Sequence, residues 1–322
     1  MDIDRVLSKK FGGKLTLAAD VPVLSRIPTG IAGLDYITSG GFPSGRVAML
    51  YGANGIGKTT LALELLKAFQ TTGRVAYVDA EKTVTPNDFQ RLGIPAEDVI
   101  VLRPDYAEEA LEFVLSIAEM GFKFVVVDSV PALLPKSKEE RLEDNLAASD
   151  VGTQARFFSG IQPLLIRAAA SGLSICFINQ IRSNFNQYGP KTTTPGGQAL
   201  PYICSLILEL SSNKRIINEQ THAIRTRVVC IKNKGAKEHL ATELEISGSG
   251  INRTASLFET LKDTGLVETR GAYYHLREDI AKALSMEPRI AHGAEGFYQY
   301  LANPDNQKVV GKLTELLFGN SQ

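Results

Sequence analysis

The sequence has a formal net charge of zero and contains no long apolar run. Lysine and arginine together number 35, as do aspartate and glutamate, so the overall charge does not indicate a nucleic-acid-binding protein. No apolar run approaches the ~18 residues of a membrane-spanning helix, and the N-terminal residues M-D-I-D-R lack the character of a signal peptide. We therefore expect a soluble, cytoplasmic protein without a membrane partner.

Cysteine is also scarce. Its three occurrences are Cys176, Cys204 and Cys230, and each lies within a strand-like apolar run. Because such runs are buried in folded proteins, they favour reduced, buried thiols over a metal site or disulfides. We assign these thiols no chemistry.

Strand-like and helix-like segments alternate through most of the chain. The predicted elements after the first glycine-rich turn are strand Val75–Asp79, helix Pro86–Leu92, strand Val99–Leu102, helix Glu108–Glu119, strand Phe124–Asp128, helix Val151–Ala170 and strand Ser174–Asn179. Such alternation predicts an α/β fold, with a mostly parallel sheet and helices on both faces. Strands Ser205–Leu210, Arg225–Lys232 and Ala241–Ile246 are predicted to follow.

The length of 322 residues allows one large domain and a small one. Residues 1–30 contain a short helix pattern and then polar and apolar alternation, so we interpret them as an appendage. Residues 31–250 form the predicted core. From about residue 250 the pattern is mostly helical, with a hairpin at Val267–His275, and residues 251–322 are therefore predicted to form a small C-terminal domain.

The segment Arg46–Leu66 contains the most specific motif. Gly52 to Thr59 matches G-x-x-x-x-G-K-[ST] between a strand pattern and a helical pattern, which is the context of a P-loop. Its N–H groups and the following helix dipole favour a triphosphate. Lys58 would reach the β- and γ-phosphates, and the Thr59 hydroxyl would bind Mg²⁺. The predicted nucleotide-binding residues are Gly52, Ala53, Asn54, Gly55, Ile56, Gly57, Lys58, Thr59 and Thr60.

Three further polar residues follow predicted strands and are expected beside the phosphates. Asp128 ends an apolar strand, as a carboxylate that holds Mg²⁺ does in P-loop enzymes. Glu81 is the preferred candidate to activate the attacking water, with Asp79 as its competitor. The amide of Gln180 could contact the γ-phosphate and transmit its presence into the long polar segment that begins at Ile181.

At these motifs the chain resembles the RecA family of bacterial and phage DNA recombinases. The matching segments, in the family's order, are G-A-N-G-I-G-K-T-T, Y-V-D-A-E-K, V-V-V-D-S-V-P-A-L, F-I-N-Q-I-R, T-T-T-P-G-G-Q-A-L and I-K-N-K. The resemblance implies a RecA-type P-loop ATPase core with a small C-terminal α/β domain. It also implies a Mg²⁺- and DNA-dependent ATPase that forms helical homo-oligomeric filaments on single-stranded DNA and exchanges strands with homologous duplex DNA.

Several residue roles follow from the same resemblance. Lys232 and Lys234 of the I-K-N-K segment would reach the γ-phosphate bound by the neighbouring protomer and complete a catalytic set with Lys58, Glu81 and Gln180. The DNA-contacting segments would be Lys136–Asp150 and Ile181–Gly197. Residues that fall where family members contact DNA are Arg156, Ser159, Arg182, Gly196 and Gly197. Phe185 and Tyr188 either stack on bases or anchor the loop.

Some positions depart from the family pattern. Asp88, with Phe89 beside it, stands where the family has an adenine-stacking tyrosine, so the residue that covers the base stays open. P-Y-I-C-S-L-I replaces the family's lysine-phenylalanine-tyrosine run. These differences indicate a divergent branch, phage-encoded or a paralogue. The alternatives are a DNA-filament or regulatory paralogue that lacks strand exchange, and a hexameric helicase of RecA fold.

Overall fold

The structure is a computed structural model that describes residues 9–12, 15, 17–21, 23–137, 152–183, 192–193, 197–217 and 222–318. For residues 182–183, 192–193, 212–217 and 222 it describes the backbone alone. Most of the predicted N-terminal helix Asp4–Phe11 and most of the segment Lys136–Asp150 therefore lie outside the described residues. Among the described helices, none is long and apolar enough to cross a membrane.

The described strands form one large sheet and three small ones. In chain order they are β1 (Arg26–Ile27), β2 (Phe42–Pro43), β3 (Val47–Gly52), β4 (Val75–Asp79), β5 (Val99–Leu102), β6 (Phe124–Asp128), β7 (Ser174–Gln180), β8 (Arg182–Ser183), β9 (Thr192–Thr193), β10 (Leu206–Ile217), β11 (His222–Asn233), β12 (Ala241–Ser247), β13 (Gly250–Ile251), β14 (Val267–Arg270), β15 (Tyr273–Leu276) and β16 (Arg289–His292). The large sheet has nine strands in the order β13-β12-β11-β10-β3-β7-β6-β4-β5. The pairs from β10 to β5 are parallel, whereas β10 to β13 pair antiparallel.

Helices cover both faces of this sheet. In chain order, the described α-helices of the whole structure are α1 (Ala32–Ile37), α2 (Lys58–Gln70), α3 (Pro86–Gln90), α4 (Ala107–Glu119), α5 (Thr153–Ala170), α6 (Ala199–Ile203), α7 (Arg253–Asp263), α8 (Glu278–Ala283), α9 (Gly293–Ala302) and α10 (Gln307–Phe318). Apolar residues of α1 and α2 pack on one face of the sheet, and those of α4 and α5 pack on the other. The central strands are buried on both faces, which explains why their sequences are continuous apolar runs rather than alternating ones.

The residues after Asn252 bury a hydrophobic cluster of their own. Phe258 and Phe297 lie at its centre, with ring centroids 4.9 Å apart. The three-stranded sheet β14-β15-β16 packs with α7 to α10 around this cluster. A salt bridge of 2.9 Å between Arg253 and the buried Glu64 connects the start of α7 to α2.

The predicted fold class is confirmed, and strand boundaries agree especially well. The predicted strands Val75–Asp79, Val99–Leu102 and Phe124–Asp128 coincide with β4, β5 and β6. The predicted and observed bounds differ most for β10 and β11, which form a hairpin that extends beyond the predicted strand ends. Strand β16 was not predicted, because the segment Arg289–His292 has no sustained apolar alternation and gains its place by pairing with β15. The three cysteines are buried, as predicted.

Candidate nucleotide site

The register of the parallel strands brings four predicted site positions to one edge of the sheet. Gly52 at the end of β3 pairs with Gln180 at the end of β7, and Asp79 at the end of β4 pairs with Asp128 at the end of β6. Ligand sites of open α/β sheets lie outside the carboxyl ends of the strands. The predicted phosphate-site residues therefore meet where such a site is expected.

The P-loop wraps the start of α2. Gly55 and Gly57 have φ values of +71° and +91°, which residues with a Cβ rarely adopt. The buried Lys58 ammonium donates hydrogen bonds to the carbonyl oxygens of Gly52 and Ala53 at 3.1 and 2.6 Å. Burial lowers the pKa of Lys58, while the nearby carboxylates of Asp128 and Glu81 raise it. The ammonium is thus held under the loop, where a phosphate oxygen could replace a carbonyl as its acceptor.

A hydroxyl and a carboxylate meet beside the loop. The Thr59 hydroxyl donates to Oδ2 of Asp128 over 2.9 Å. The same oxygen accepts a 2.6 Å hydrogen bond from the hydroxyl of Tyr77, which is buried in β4. Burial raises the pKa of Asp128, and the two hydrogen bonds lower it. Sequence reasoning missed Tyr77, although its position two residues before Asp79 on a neighbouring strand signals that it lies near this edge.

Thr59 and Asp128 suit a magnesium ion. Mg²⁺ is usually bound through one or two carboxylates together with phosphate oxygens and waters, rather than by a cage of protein ligands. One carboxylate and one hydroxyl next to a phosphate-binding loop match that donor set. No group of three or more His, Cys, Asp or Glu able to hold a metal lies within the described part of the chain.

Glu81 faces the cavity, whereas its competitor Asp79 does not. Oε1 of Glu81 accepts hydrogen bonds from the Ser129 hydroxyl and, over 3.4 Å, from Nε2 of Gln180. The buried Asp79 instead accepts bonds from the backbone of Thr83 and Val84 and from Arg103. Asp79 therefore organises the turn after β4, and Glu81 is the carboxylate available to a water. Ser129 was missed, although it directly follows Asp128.

The site opens into a cavity of about 490 Å³. Its described lining consists of Asn54, Gly55, Gly57, Lys58, Thr59, Thr60, Glu81, Arg91, Asp128, Ser129, Ile178, Gln180, Ile224, Ile246, Ser247 and Gly248. The predicted residues Gly52, Ala53 and Ile56 belong to the same loop behind this lining. Arg91 and the segment 246–248 carry no motif, and sequence reasoning did not identify them.

The two lysines of the I-K-N-K segment have different surroundings. The Lys232 ammonium donates to the carbonyl oxygens of Pro201 and Tyr202, at 2.8 and 3.1 Å, and so binds the last turns of α6 in its own chain. Burial and the neighbouring Lys234 lower the pKa of Lys232. Lys234 is exposed. Neither lysine lines the nucleotide cavity of its own protomer.

Of the predicted DNA-contacting residues, three are described with their surroundings. Arg156 and Ser159 lie on the first turns of α5, where the Ser159 hydroxyl donates to the Ala155 carbonyl over 2.8 Å. Gly197 has a φ of +67°, and a Cβ built on it would lie 2.8 Å from the Cβ of Ala155. The end of the segment 181–197 therefore packs against the start of α5. Phe185, Tyr188 and Gly196 lie outside the described residues, and Arg182 is described only in its backbone.

Comparisons with known proteins agree with this geometry. A family model described as the RecA N-terminal domain matches residues 2–252. The chain is 37% identical over 283 residues to Protein RecA of Oleidesulfovibrio alaskensis, covering 85% of this chain and 77% of that protein. It is 35% identical over 305 residues to Protein RecA of Thermus thermophilus, covering 89% of each. The crystal structure of the RadB recombinase matches with a TM-score of 0.54 and 25% identity, covering 70% of this chain and 98% of that one.

Proposed function

The chain belongs to the RecA family, and from this premise we propose that it is a DNA-dependent ATPase that assembles on single-stranded DNA and exchanges strands with homologous duplex DNA. The observation that carries the proposal is the position of Gln180. Its amide donates to Glu81 at the nucleotide site, and it is the last residue of β7 before the segment 181–197. One residue thus links the candidate catalytic carboxylate to the candidate DNA-binding segment.

In this proposal the P-loop and Lys58 bind the triphosphate of ATP, and Thr59 and Asp128 hold Mg²⁺ against it. The metal ion, when bound, neutralises charge on the phosphate oxygens. Glu81 orients the attacking water and accepts its proton. It is free to do so because Asp128, and not Glu81, holds the metal ion. The Ser129 hydroxyl and the Gln180 amide hold Glu81 in place.

We propose that DNA binding follows the state of the nucleotide. The amide of Gln180 has two acceptors available to it, Glu81 and the terminal phosphate of ATP, and a change between them moves the start of the segment 181–197. Arg156, Arg182 and the glycine N–H groups at Gly196 and Gly197 would contact phosphates of the DNA backbone. Such contacts position a strand without reading its sequence, which suits a protein that acts on any homologous pair.

Two apolar surfaces support assembly into a homo-oligomer. Leu17 and Val23, near the N-terminus, are 74% and 92% exposed. The edge strand β5 leaves Ile100 and Val101 exposed on the far side of the large sheet. Exposed apolar segments and unpaired sheet edges are sites at which another chain can bind. In a filament, Lys232 and Lys234 would approach the γ-phosphate of the neighbouring protomer and stabilise charge there.

The test combines hydrolysis and strand exchange. Purified protein should hydrolyse ATP with Mg²⁺ faster when single-stranded DNA is added, and it should form joint molecules with homologous duplex. Lys58→Ala should lose nucleotide-dependent DNA binding. Hydrolysis that DNA does not stimulate would contradict the coupling. Negative-stain microscopy with a slowly hydrolysed ATP analogue separates helical filaments from the closed rings expected of a hexameric helicase.

A second candidate is a filament-forming paralogue that binds ATP and DNA but lacks strand exchange. It is favoured by the hydrogen bonds of Lys232 to α6 of its own chain, since a lysine so engaged must leave those carbonyls to reach a neighbouring protomer. This candidate predicts filaments on single-stranded DNA without joint molecules.

A further inference from the structure

One wall of the nucleotide cavity carries an arginine that no sequence motif identifies. Glu81, Asp128 and Gln180 line the cavity near the P-loop, and Arg91 and the segment 246–248 line it as well. None of the described residues that line the cavity is aromatic. The base of a bound nucleotide must extend away from the phosphates, and these two walls are what it meets.

Both walls are anchored to α2. The Lys67 ammonium donates to the Leu92 carbonyl over 2.6 Å and thereby fixes the chain directly after Arg91. Glu64 accepts from the N–H of Ile251 over 3.4 Å. A Cβ built on Gly250 would lie 2.9 Å from Cδ2 of Leu92, so the two walls also contact each other. Both walls are therefore held in position relative to α2, and the part of the cavity that they line is called the slot below.

Phe89 cannot cover a base in this slot. Its side chain is buried in the core, where its ring meets that of Tyr77 edge-on at 6.0 Å and 88°. A rotation that brought Phe89 into the cavity would leave a void in that core, and removing a buried phenylalanine ring strongly destabilises a fold.

Asp88 is occupied as well. Oδ2 of Asp88 accepts from both the backbone N–H and the hydroxyl of Thr85, at 2.8 and 2.7 Å, and closes the capping box of α3. Its other oxygen, Oδ1, forms an ion pair with Nη2 of Arg91 at 3.1 Å. Desolvation by burial raises the pKa of Asp88, but the two hydrogen bonds from Thr85 and the charge of Arg91 together outweigh it, so the pKa lies below its usual value. Asp88 is therefore a charged group that holds Arg91.

We propose that the guanidinium of Arg91 is the surface on which the base of the bound nucleotide stacks. This inference rests on the proposed ATP site. A guanidinium is planar, and arginine stacks on aromatic faces through its π-system and its charge. Its Nη2 forms an ion pair with Oδ1 of Asp88 at 3.1 Å, which holds the guanidinium at this wall of the cavity. The side chain is 37% exposed, enough to take up a ring.

The ion pair with Asp88 also argues against a role of Arg91 as a phosphate ligand. Asp88 balances the charge of Arg91, and Lys58 already supplies a cation at the P-loop. Arg91 is thus a specificity-determining residue that recognises the flat face of a base. A purine offers more stacking area than a pyrimidine, so the slot should prefer ATP to UTP by stacking alone.

Calorimetric titration with Mg²⁺ present tests the proposal on the full chain. The ligands are ATP, UTP and inorganic tripolyphosphate, which has the phosphates of ATP but no base. The variants are Arg91→Ala, Arg91→Lys and, as the matched control, Gln90→Ala, which replaces the exposed neighbour on the same helix. Lys58→Ala is the control for the phosphate site itself.

Arg91→Ala should weaken ATP binding by roughly ten-fold, because stacking of a base contributes ~1–3 kcal/mol. Its affinity for tripolyphosphate should stay unchanged, and its preference for ATP over UTP should shrink. Arg91→Lys should behave like Arg91→Ala, since lysine keeps the charge but has no planar face. Gln90→Ala should bind all three ligands as the unmodified protein does.

Two results would overturn the proposal. Unchanged ATP affinity in Arg91→Ala would show that the base does not contact this side chain. An equal loss of ATP and tripolyphosphate affinity would make Arg91 a phosphate ligand. Failure of the proposed function has a different signature, because Lys58→Ala would then bind tripolyphosphate and ATP as well as the unmodified protein.

Discussion

The Tyr77 hydroxyl donates a 2.6 Å hydrogen bond to Oδ2 of Asp128 across two neighbouring parallel strands. Both side chains are buried, and the same carboxylate oxygen accepts from Thr59 of the P-loop helix. A core tyrosine thus orients the carboxylate proposed to hold Mg²⁺.

Tyr77→Phe should destabilise the fold without changing its shape. A hydrogen bond to a charged group contributes about 1.5–3 kcal/mol, and we expect the free energy of unfolding to fall by that amount. Chemical denaturation measures the loss. Tyr51→Phe is the control, because the Tyr51 hydroxyl also interacts with a carboxylate, Glu209, but is only half-buried. Equal losses in the two variants would show that burial at Asp128 adds nothing.

Glu81→Gln should retain ATP and DNA binding while turnover falls by roughly 10²–10⁴-fold, the usual contribution of a general base. Glutamine can still accept from the Ser129 hydroxyl through its carbonyl oxygen, so the local contacts persist. Steady-state hydrolysis and a DNA-binding assay with a non-hydrolysable analogue are measured on the same preparation. Loss of binding equal to the loss of turnover would assign Glu81 a structural role instead. Asp79→Asn is the comparison, and it should lower stability because Asp79 accepts bonds from Thr83, Val84 and Arg103.

Lys234→Ala should slow DNA-stimulated hydrolysis by about 10³-fold, as loss of a cation supplied by a neighbouring protomer does. The free energy of unfolding of Lys234→Ala should differ from that of the unmodified protein by less than about 0.5 kcal/mol, because the side chain is exposed. Lys232→Ala should instead also lower stability, since its ammonium holds the carbonyls of Pro201 and Tyr202.

Mixing the variants tests whether the lysine acts between protomers. Filaments of Lys234→Ala and Glu81→Gln together contain some interfaces in which an intact Glu81 faces an intact Lys234. Hydrolysis should therefore recover to a fraction of the normal rate, although each variant alone is slow. Mixtures no faster than the separate variants would mean that Lys234 acts within its own chain.

Gly197→Ala should weaken binding of single-stranded DNA. An alanine at this position would have to adopt a left-handed backbone conformation, which costs about 1–2 kcal/mol. Its Cβ would also push against Ala155 at the start of α5. Fluorescence anisotropy with labelled single-stranded DNA measures the loss. Gly121→Ala is matched for backbone strain, with a φ of +76° and open space around it. DNA affinity should be unchanged in Gly121→Ala, and a similar loss in both would attribute the effect to general destabilisation.

Much of the nucleotide site could be predicted from the sequence because its motifs are local. Gly52 to Thr59 specifies a loop whose shape depends on its own glycines, and Glu81, Asp128 and Gln180 each lie within three residues of the end of an apolar run. The alternation of strands and helices is likewise a local signal, which is why the boundaries of β4, β5 and β6 agree with their prediction. The identity of the family was also within reach, since the motifs recur in a specific order.

Only the tertiary structure decided which side chains face one another. The strand register paired Gly52 with Gln180 and Asp79 with Asp128, and side-chain direction then separated Glu81, in the cavity, from Asp79, in a turn. The structure added three residues to the site: Tyr77, Ser129 and Arg91. Tyr77 and Ser129 contact Asp128 and Glu81, which lie on other segments of the chain, and Arg91 lines the cavity because of the path of the chain after β4. No local sequence pattern encodes these positions. Propensity and periodicity describe a residue's neighbours along the chain, whereas a site depends on its neighbours in space.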